Sequence, residues 1–178
     1  MIPPTLTTDR LILRPFEEGD FPHVAAMWGD KDVVRFIGGV IRSPQDVWFA
    51  SVRGRGMWDI KGFGYWTVVD RETGTFLGEA GFSDFKRGIE PDLSPWPEAG
   101  WAFGRASWGR GVGSEAVKAI HDWLDENRPG QSVCIIDTDN MASRRVAEKA
   151  GYEFWTLSSL RGHMVNVYRR NASSPLTP

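Results

Sequence analysis

Residues 98–137 read as strand, glycine turn, helix and strand, and this order limits the available folds more than any other feature of the chain. Glu98-Ala99-Gly100-Trp101-Ala102-Phe103 has the character of a strand, and Trp108-Gly109-Arg110-Gly111-Val112-Gly113-Ser114 follows closely. Val112, Ala116, Ala119, Ile120, Trp123 and Leu124 then fall on one helical face, with Lys118, Asp122, Asp125 and Glu126 on the other. Val133-Cys134-Ile135-Ile136-Asp137 is the next strand, apolar enough to be buried on both sides. Glycines in such a turn let backbone N–H groups converge with no side chains between them, and the helix dipole adds positive character there. The product is an anion cradle suited to phosphate. A tight loop that merely needs positive φ is the bland alternative.

The rest of the chain supplies strands before this unit and a second, shorter unit after it. Arg10 to Phe16 alternates as a first strand. Asp20 is an N-cap candidate for a helix carrying the Phe21, Val24, Ala25, Trp28 stripe. Val33 to Ile37 reads as a short irregular piece. Ser43-Pro44 opens another helix that is expected to reach Arg53 and fray at Gly54-Arg55-Gly56. Phe63–Val69 and Thr75–Phe82 form a hairpin pattern around Asp70–Gly74, and Lys86–Pro97 is a long, proline-bearing loop of the kind that contacts ligands. Asn140–Ala150 reads as a short helix stopped at Gly151, and Tyr152–Leu157 and Met164–Arg170 as a closing strand pair. The fold class is therefore α+β with a mixed sheet: antiparallel strands first, then one βαβ unit. Residues 1–170 are expected to form one domain, and residues 171–178 a disordered tail.

At 178 residues one domain is the natural count, and 41% hydrophobic with 25% charged residues describes an ordinary globule. A net charge of −2 gives no basic footprint for nucleic acid. The single cysteine, Cys134, cannot form an internal disulfide and suits a reducing cytoplasm; in an apolar strand it is a small hydrophobe. No signal peptide or membrane span is visible. His23, His121 and His163 lack ligand spacing, so no metal is expected. Trp48, Trp58 and Trp96 stand outside obvious core periodicity and are candidates for a groove or subunit interface.

Trp108–Gly113 resembles the Gln/Arg-x-x-Gly-x-Gly/Ala loop of the GNAT superfamily of acyl-CoA N-acyltransferases. Asp139-Asn140-Met141-Ala142-Ser143 through Lys149-Ala150-Gly151-Tyr152 is similar to that superfamily's second block. Leu6-Thr7-Thr8-Asp9-Arg10-Leu11-Ile12-Leu13-Arg14-Pro15 is similar to the opening of its branch of ribosomal-protein N-terminal-alanine acetyltransferases. The resemblance implies a mostly antiparallel mixed sheet of six to seven strands with helices on both faces. It also implies transfer of acetyl from acetyl-CoA to a primary amine, on a protein N-terminus or a small molecule, by direct attack in a ternary complex. A homodimer is what the resemblance suggests.

The same resemblance assigns roles. Backbone amides of Gly109, Gly111, Val112, Gly113 and Ser114 hold the pyrophosphate, with the Ser114 hydroxyl and Arg110 in support. Trp108 stands where Gln or Arg is usual, and Asn140 and Ser143 lie along the pantetheine arm. A main-chain N–H near Phe103, beside a bulge, polarises the thioester carbonyl. Glu98 is the base, acting through water; capping the loop or pairing with an arginine such as Arg87 is its structural alternative. Glu79 and Asp84 are weaker candidates. Ser143 bonds the thiol or caps its helix. Ala147 stands where many members carry an acidic Tyr, and Tyr152 is expected to pack in the core. The acceptor is expected between the N-terminal helices, around Phe36, Trp48 and Trp58, and the Lys86–Pro97 loop.

Two other readings stay open. One is a catalytically silent acyl-CoA sensor, motivated by Ala147. The other is a dinucleotide site with Asp137 on the ribose, roughly twenty residues beyond the turn. Against the latter, Ser114 replaces the last glycine and more than half the chain precedes the turn. An NTPase-type loop is excluded for want of Gly-Lys-Ser/Thr before the helix.

Overall fold

A computed structural model describes residues 3–172, and its frame is a sheet in the order β1-β2-β3-β4-β5-β6-β8-β7. The strands are β1 Leu6–Thr7, β2 Leu11–Arg14, β3 Tyr65–Asp70, β4 Phe76–Ser83, β5 Glu98–Phe103, β6 Gln131–Asp137, β7 Glu153–Leu160 and β8 His163–Asn171. All neighbours pair antiparallel except β5 and β6, which are parallel. The helices are α1 Phe21–Trp28, α2 Lys31–Val34, α3 Pro44–Lys61, α4 Val112–Asn127 and α5 Met141–Lys149. Helix α4 is the crossover between the two parallel strands, as the βαβ pattern requires.

The alternation of β3–β5 divides the molecule into two faces. Trp66, Val68, Ala80, Phe82 and Ala99 point to one face, where Val112, Ala116, Ile120 and Leu124 of α4 cover them. Tyr65, Thr67, Glu79, Glu98, Gly100 and Ala102 belong to the other, which the N-terminal helices cover through Met27 and Val33 against Ala102. Leu93 of the 86–97 loop packs on Val133 and Val167 on this second face, with Ile89 and Trp96 beside it.

Several sequence expectations change here. Helix α3 does not fray at Gly54 but continues to Lys61, ended by Gly62 in the left-handed region (φ 72°), whose N–H bonds the Trp58 carbonyl. Two interior glycines weaken a helix by roughly 1 kcal/mol each; buried Val47, Ser51 and Trp58 anchor this one against the body. Trp58 is fully buried rather than at a groove. It meets Trp66 and Trp123 edge-on at centroid distances of 4.6 and 5.3 Å, and these two meet at 5.2 Å. Trp48 packs on Phe16 and Phe21, and Trp96 on Trp155. The first strand is shorter than Arg10–Phe16 and has a partner of its own, β1, so eight strands replace the expected six to seven. Residues 31–34 form a helical turn that takes in the first two residues of the stretch read as irregular, Val33 and Val34. Asn171 pairs with Gln131 and Ala172 N–H bonds Gly130, so the tail cannot begin at 171; residues 173–178 lie outside the described residues.

Candidate active site

Strands β5 and β6 pair at one position only, Glu98 with Val133, reinforced by Val133 N–H on the Pro97 carbonyl at 3.0 Å. From Ala99 to Phe103 the edge of β5 facing β6 has no strand partner, so the two strands part and leave a slot in the middle of the sheet. The glycine turn sits at the end of that slot. Gly109 (φ 71°) and Gly111 (φ 78°) both occupy the left-handed region, and Gly111 caps α4. Among the described residues, no backbone carbonyl accepts from the amides of 109–114, while Glu115 N–H closes onto Gly111. These unclaimed donors stand at the N-terminus of a long helix, a geometry in which backbone amides can receive an anion.

The slot's walls are small and apolar. A Cβ placed on Gly113 would stand 3.4 Å from the Phe103 ring and 3.6 Å from Val146 of α5, so these three pack closely beside the turn. Trp108 is half exposed, its indole N–H donating to the Phe103 carbonyl at 2.7 Å. Arg110 is exposed, with Nη1 only 3.4 Å from the Ala106 carbonyl. Asn140 accepts from Ser143 N–H at 3.0 Å and is the N-cap of α5. The cap between these residues is thus made by Asn140 rather than by the Ser143 hydroxyl. Ala147 is fully buried and carries no group that could donate a proton. The bulge expected beside Phe103 is not there: β4 and β5 pair without a break from Gly78–Phe103 to Ser83–Glu98, and the irregularity lies at Val68/Val69 instead.

The N-terminal block braces the turn. Glu115, in the first turn of α4, accepts from the Thr8 hydroxyl at 2.6 Å, Arg10 N–H at 3.0 Å and Arg10 Nε at 2.7 Å. Arg10 Nη1 also donates to the Arg110 carbonyl at 2.8 Å. Burial pulls the Glu115 carboxyl upward, but the bonds from Thr8 and Arg10 outweigh it and hold the group below its ordinary value. It is therefore charged, and that charge is met by Arg10 rather than left to repel a phosphate.

On the opposite face, Gly81 of β4 pairs with Gly100 of β5, and the Tyr65 hydroxyl lies directly over Gly100, where any Cβ would collide with it. Glu98, 4% exposed, takes Arg87 Nε on both oxygens at 2.9 Å and Nη2 on Oε1 at 2.8 Å. Burial raises the Glu98 carboxyl above its usual range, and Arg87 only partly opposes this. The pairing weighed as an alternative role is present, and basicity survives it. Glu79 accepts from the Trp28 indole N–H at 2.9 Å and is also raised by burial. Tyr65 lies in the field of Glu98, Arg87, Glu79 and Arg42, and burial holds its hydroxyl protonated. Asp84 instead binds Lys61 and Lys86 at 2.6 and 2.8 Å. A pocket of about 190 Å³ under the 86–97 loop, lined in part by Arg87, Trp96 and Glu98, adjoins this face. Trp58 is sealed in the core and takes no part. Trp28, Arg42 and Tyr65 escaped the sequence reading, since an aromatic or arginine in these patterns has no distinguishing local signal.

A sheet parted beside a glycine turn, with a donor-rich helix end on one face and buried carboxylates on the other, defines an acyl-transferring fold. Residues 10–153 match the family described as acetyltransferase (GNAT) domain, and the chain belongs to that family. It is 32% identical over 171 residues, 94% of this chain and 95% of the relative, to the uncharacterized protein YkkB of Bacillus subtilis. A GnaT-family protein of Bordetella pertussis superposes with a TM-score of 0.83 at 30% identity, over 94% of this chain and 99% of that one. At 17% identity, the ribosomal L7/L12 alpha-N-protein acetyltransferase RimL, solved with coenzyme A, shares the fold with a TM-score of 0.77 over 97% and 100% of the chains. The chain is an acetyl-CoA-dependent N-acetyltransferase that transfers acetyl to an amine. The sensor reading is not favoured by this membership. The dinucleotide reading fails on the sheet: β5 is its fifth strand with antiparallel neighbours before it, and Asp137 Oδ1 is spent on Asp139 N–H at 2.9 Å.

Proposed function

We propose that the amides of Gly109, Arg110, Gly111, Val112, Gly113 and Ser114 hold the pyrophosphate of acetyl-CoA, with Arg110 and the Ser114 hydroxyl on the phosphates. The observation that carries this is the set of unclaimed donors around two left-handed glycines at the start of α4. The pantetheine arm then runs along the slot past Phe103, Gly113, Asn140 and Ser143, with Trp108 closing the turn. When bound, acetyl-CoA supplies an activated thioester. The free edge of β5 near Phe103 offers main-chain N–H to its carbonyl oxygen.

Glu98 receives the proton of the acceptor ammonium through a water, its affinity for it raised by burial. The neutral amine attacks, the N–C bond forms as the C–S bond breaks, and the amine's remaining surplus proton reaches the departing sulfur. Tyr152 is buried and bonded elsewhere, so Tyr65, protonated and lying over β5, is the group of this chain best placed to deliver that proton. The acceptor, a protein N-terminus or a small-molecule amine, enters from the face of Tyr65 and Glu98. A cytoplasmic location is supported by the single thiol, Cys134, buried and with its ionisation suppressed. Half-exposed Phe154, Leu157 and Met164 on the β7–β8 hairpin favour a homodimer.

Calorimetric titration with acetyl-CoA, followed by thiol release over an amine panel, tests this reading. Micromolar binding with turnover of at least one primary amine is expected; absence of binding at millimolar ligand rejects it.

A further inference from the structure

The arginines drawn into this protein are paired. Arg14 holds Asp20, Arg87 holds Glu98 and Arg170 holds Asp125, each through two guanidinium nitrogens. Arg42 is different. It follows Val40 and Ile41, which are 71% and 54% exposed, yet its own side chain turns inward. Its backbone N–H is fastened to the Trp28 carbonyl at 3.2 Å, and its guanidinium carbon lies 3.6 Å from the Trp28 ring centroid. Among the described residues no carboxylate or carbonyl accepts from that guanidinium, and no ion pair forms with it.

The charges around it make the gap more marked. Arg53 of α3 and Arg161 of the β7–β8 turn both act on Arg42 as like charges, and neither has a carboxylate partner among the described residues. Three separate elements thus bring positive charge toward one partly dry place. The same Trp28 that carries Arg42 over its ring donates its indole N–H to Glu79 Oε2 at 2.9 Å. One indole therefore holds a cation and an anion apart, within each other's field but unjoined. Tyr65 lies between this pair and Glu98–Arg87, over the Gly100 of β5.

Desolvated charges of this kind are tolerated when a counterion arrives. We propose that the counterion is the acceptor itself, an α-amino acid or close analogue whose oxyanion docks on Arg42. This rests on the acetyltransferase reading and narrows its substrate class. A peptide N-terminus carries an uncharged amide where such a compound carries its anion, so Arg42 discriminates between them.

The test compares acetyl transfer to free amino acids and to their C-terminal amides at saturating acetyl-CoA, with aspartate, methionine, phenylalanine and a short peptide as the starting set. For the wild type, kcat/KM for at least one free acid should exceed that for its amide by about 100-fold or more, the cost of leaving a buried charge without its partner. In Arg42→Ala that ratio should collapse toward one, with the loss in KM for the acid; Arg42→Lys, which keeps a cation over Trp28, should retain part of the preference. Equal turnover of acid and amide by the wild type, turnover of the peptide alone, or a preference that survives Arg42→Ala would each overturn the assignment while leaving the enzyme an acetyltransferase. No transfer to any amine would remove both.

Discussion

Nε2 of His121 stands 2.9 Å from the hydroxyl of Tyr152, and the direction of that bond is set by the groups at either end. Nδ1 faces the Val117 carbonyl at 2.7 Å, which only accepts, so Nδ1 carries the proton. Nε2 then accepts from Tyr152, and Ser132, 2.9 Å from the same oxygen, donates to it. The chain is closed and dry, and the Phe82 ring packs edge-on against the imidazole at 5.1 Å. Tyr152 is thereby a structural residue of the α4–β6 junction.

Burial lowers the His121 pKa from 6.5 to about 4. The folded state therefore binds that proton less readily than the unfolded chain. Its contribution is complete above pH 6.5 and is lost as pH falls toward 4, by roughly 3 kcal/mol on the usual conversion. Urea midpoints measured between pH 7 and 4 should fall steeply, and His121→Gln should flatten that slope. An unchanged slope in the variant rejects the assignment.

Gly111 takes φ 78° at the cap of α4, a conformation that costs an L-residue roughly 1–2 kcal/mol. Gly111→Ala is expected to displace the amides around it and weaken CoA binding at least about tenfold, with a smaller effect on melting. Calorimetry on the variant reads this directly, and unaltered affinity would mean the phosphate lies elsewhere.

Glu115 gathers Thr8 and Arg10 onto the first turn of α4. Glu115→Gln keeps the shape but removes the charge, and should destabilise the fold by about 1.5–3 kcal/mol, the usual value of hydrogen bonds to a charged group. It should also loosen the glycine turn, so the CoA dissociation constant rises. Hydrogen exchange at residues 109–114 is the local readout; protection equal to the parent's would contradict the bracing role.

Glu98→Gln should lower kcat by about 10²-fold or more, as loss of a general base does. Arg87 partly holds the Glu98 carboxyl down, so Arg87→Ala frees it to rise. The acid limb of the kcat/KM profile should then move to higher pH. A limb that stays in place would show that another group titrates there.

Trp58 is enclosed by Trp66 and Trp123, and Trp58→Ala should cost about 3–5 kcal/mol, as large aromatic truncations do. Thermal unfolding would show it, and a loss under 1 kcal/mol would be inconsistent with the packing described.

The strand–turn–helix unit was legible in the sequence because its signals are local: β5 at Glu98–Phe103 and the end of α4 at Asn127 fall where periodicity places them. The glycine cradle follows from the same locality. What could not be read depends on contacts distant in the chain. Helix α3 continues through Gly54 and Gly56 because Trp58, beyond them, is needed in the core, and no propensity scale sees that. The face of Tyr65 brings together Trp28, Arg42, Tyr65, Glu79 and Glu98 from four elements and a loop, so no short window contains it. Glu98 could be picked out only by its place at the head of a strand, and whether Arg87 would find it depended on the course of the 86–97 loop.

The parting of β5 from β6 has a kinetic corollary. A reactant approaching from the α4 side and one approaching past Tyr65 meet at a shared edge without crossing each other's path, so neither has to leave before the other arrives. Loading in either order follows, and double-reciprocal plots at several fixed concentrations of one reactant should intersect rather than run parallel.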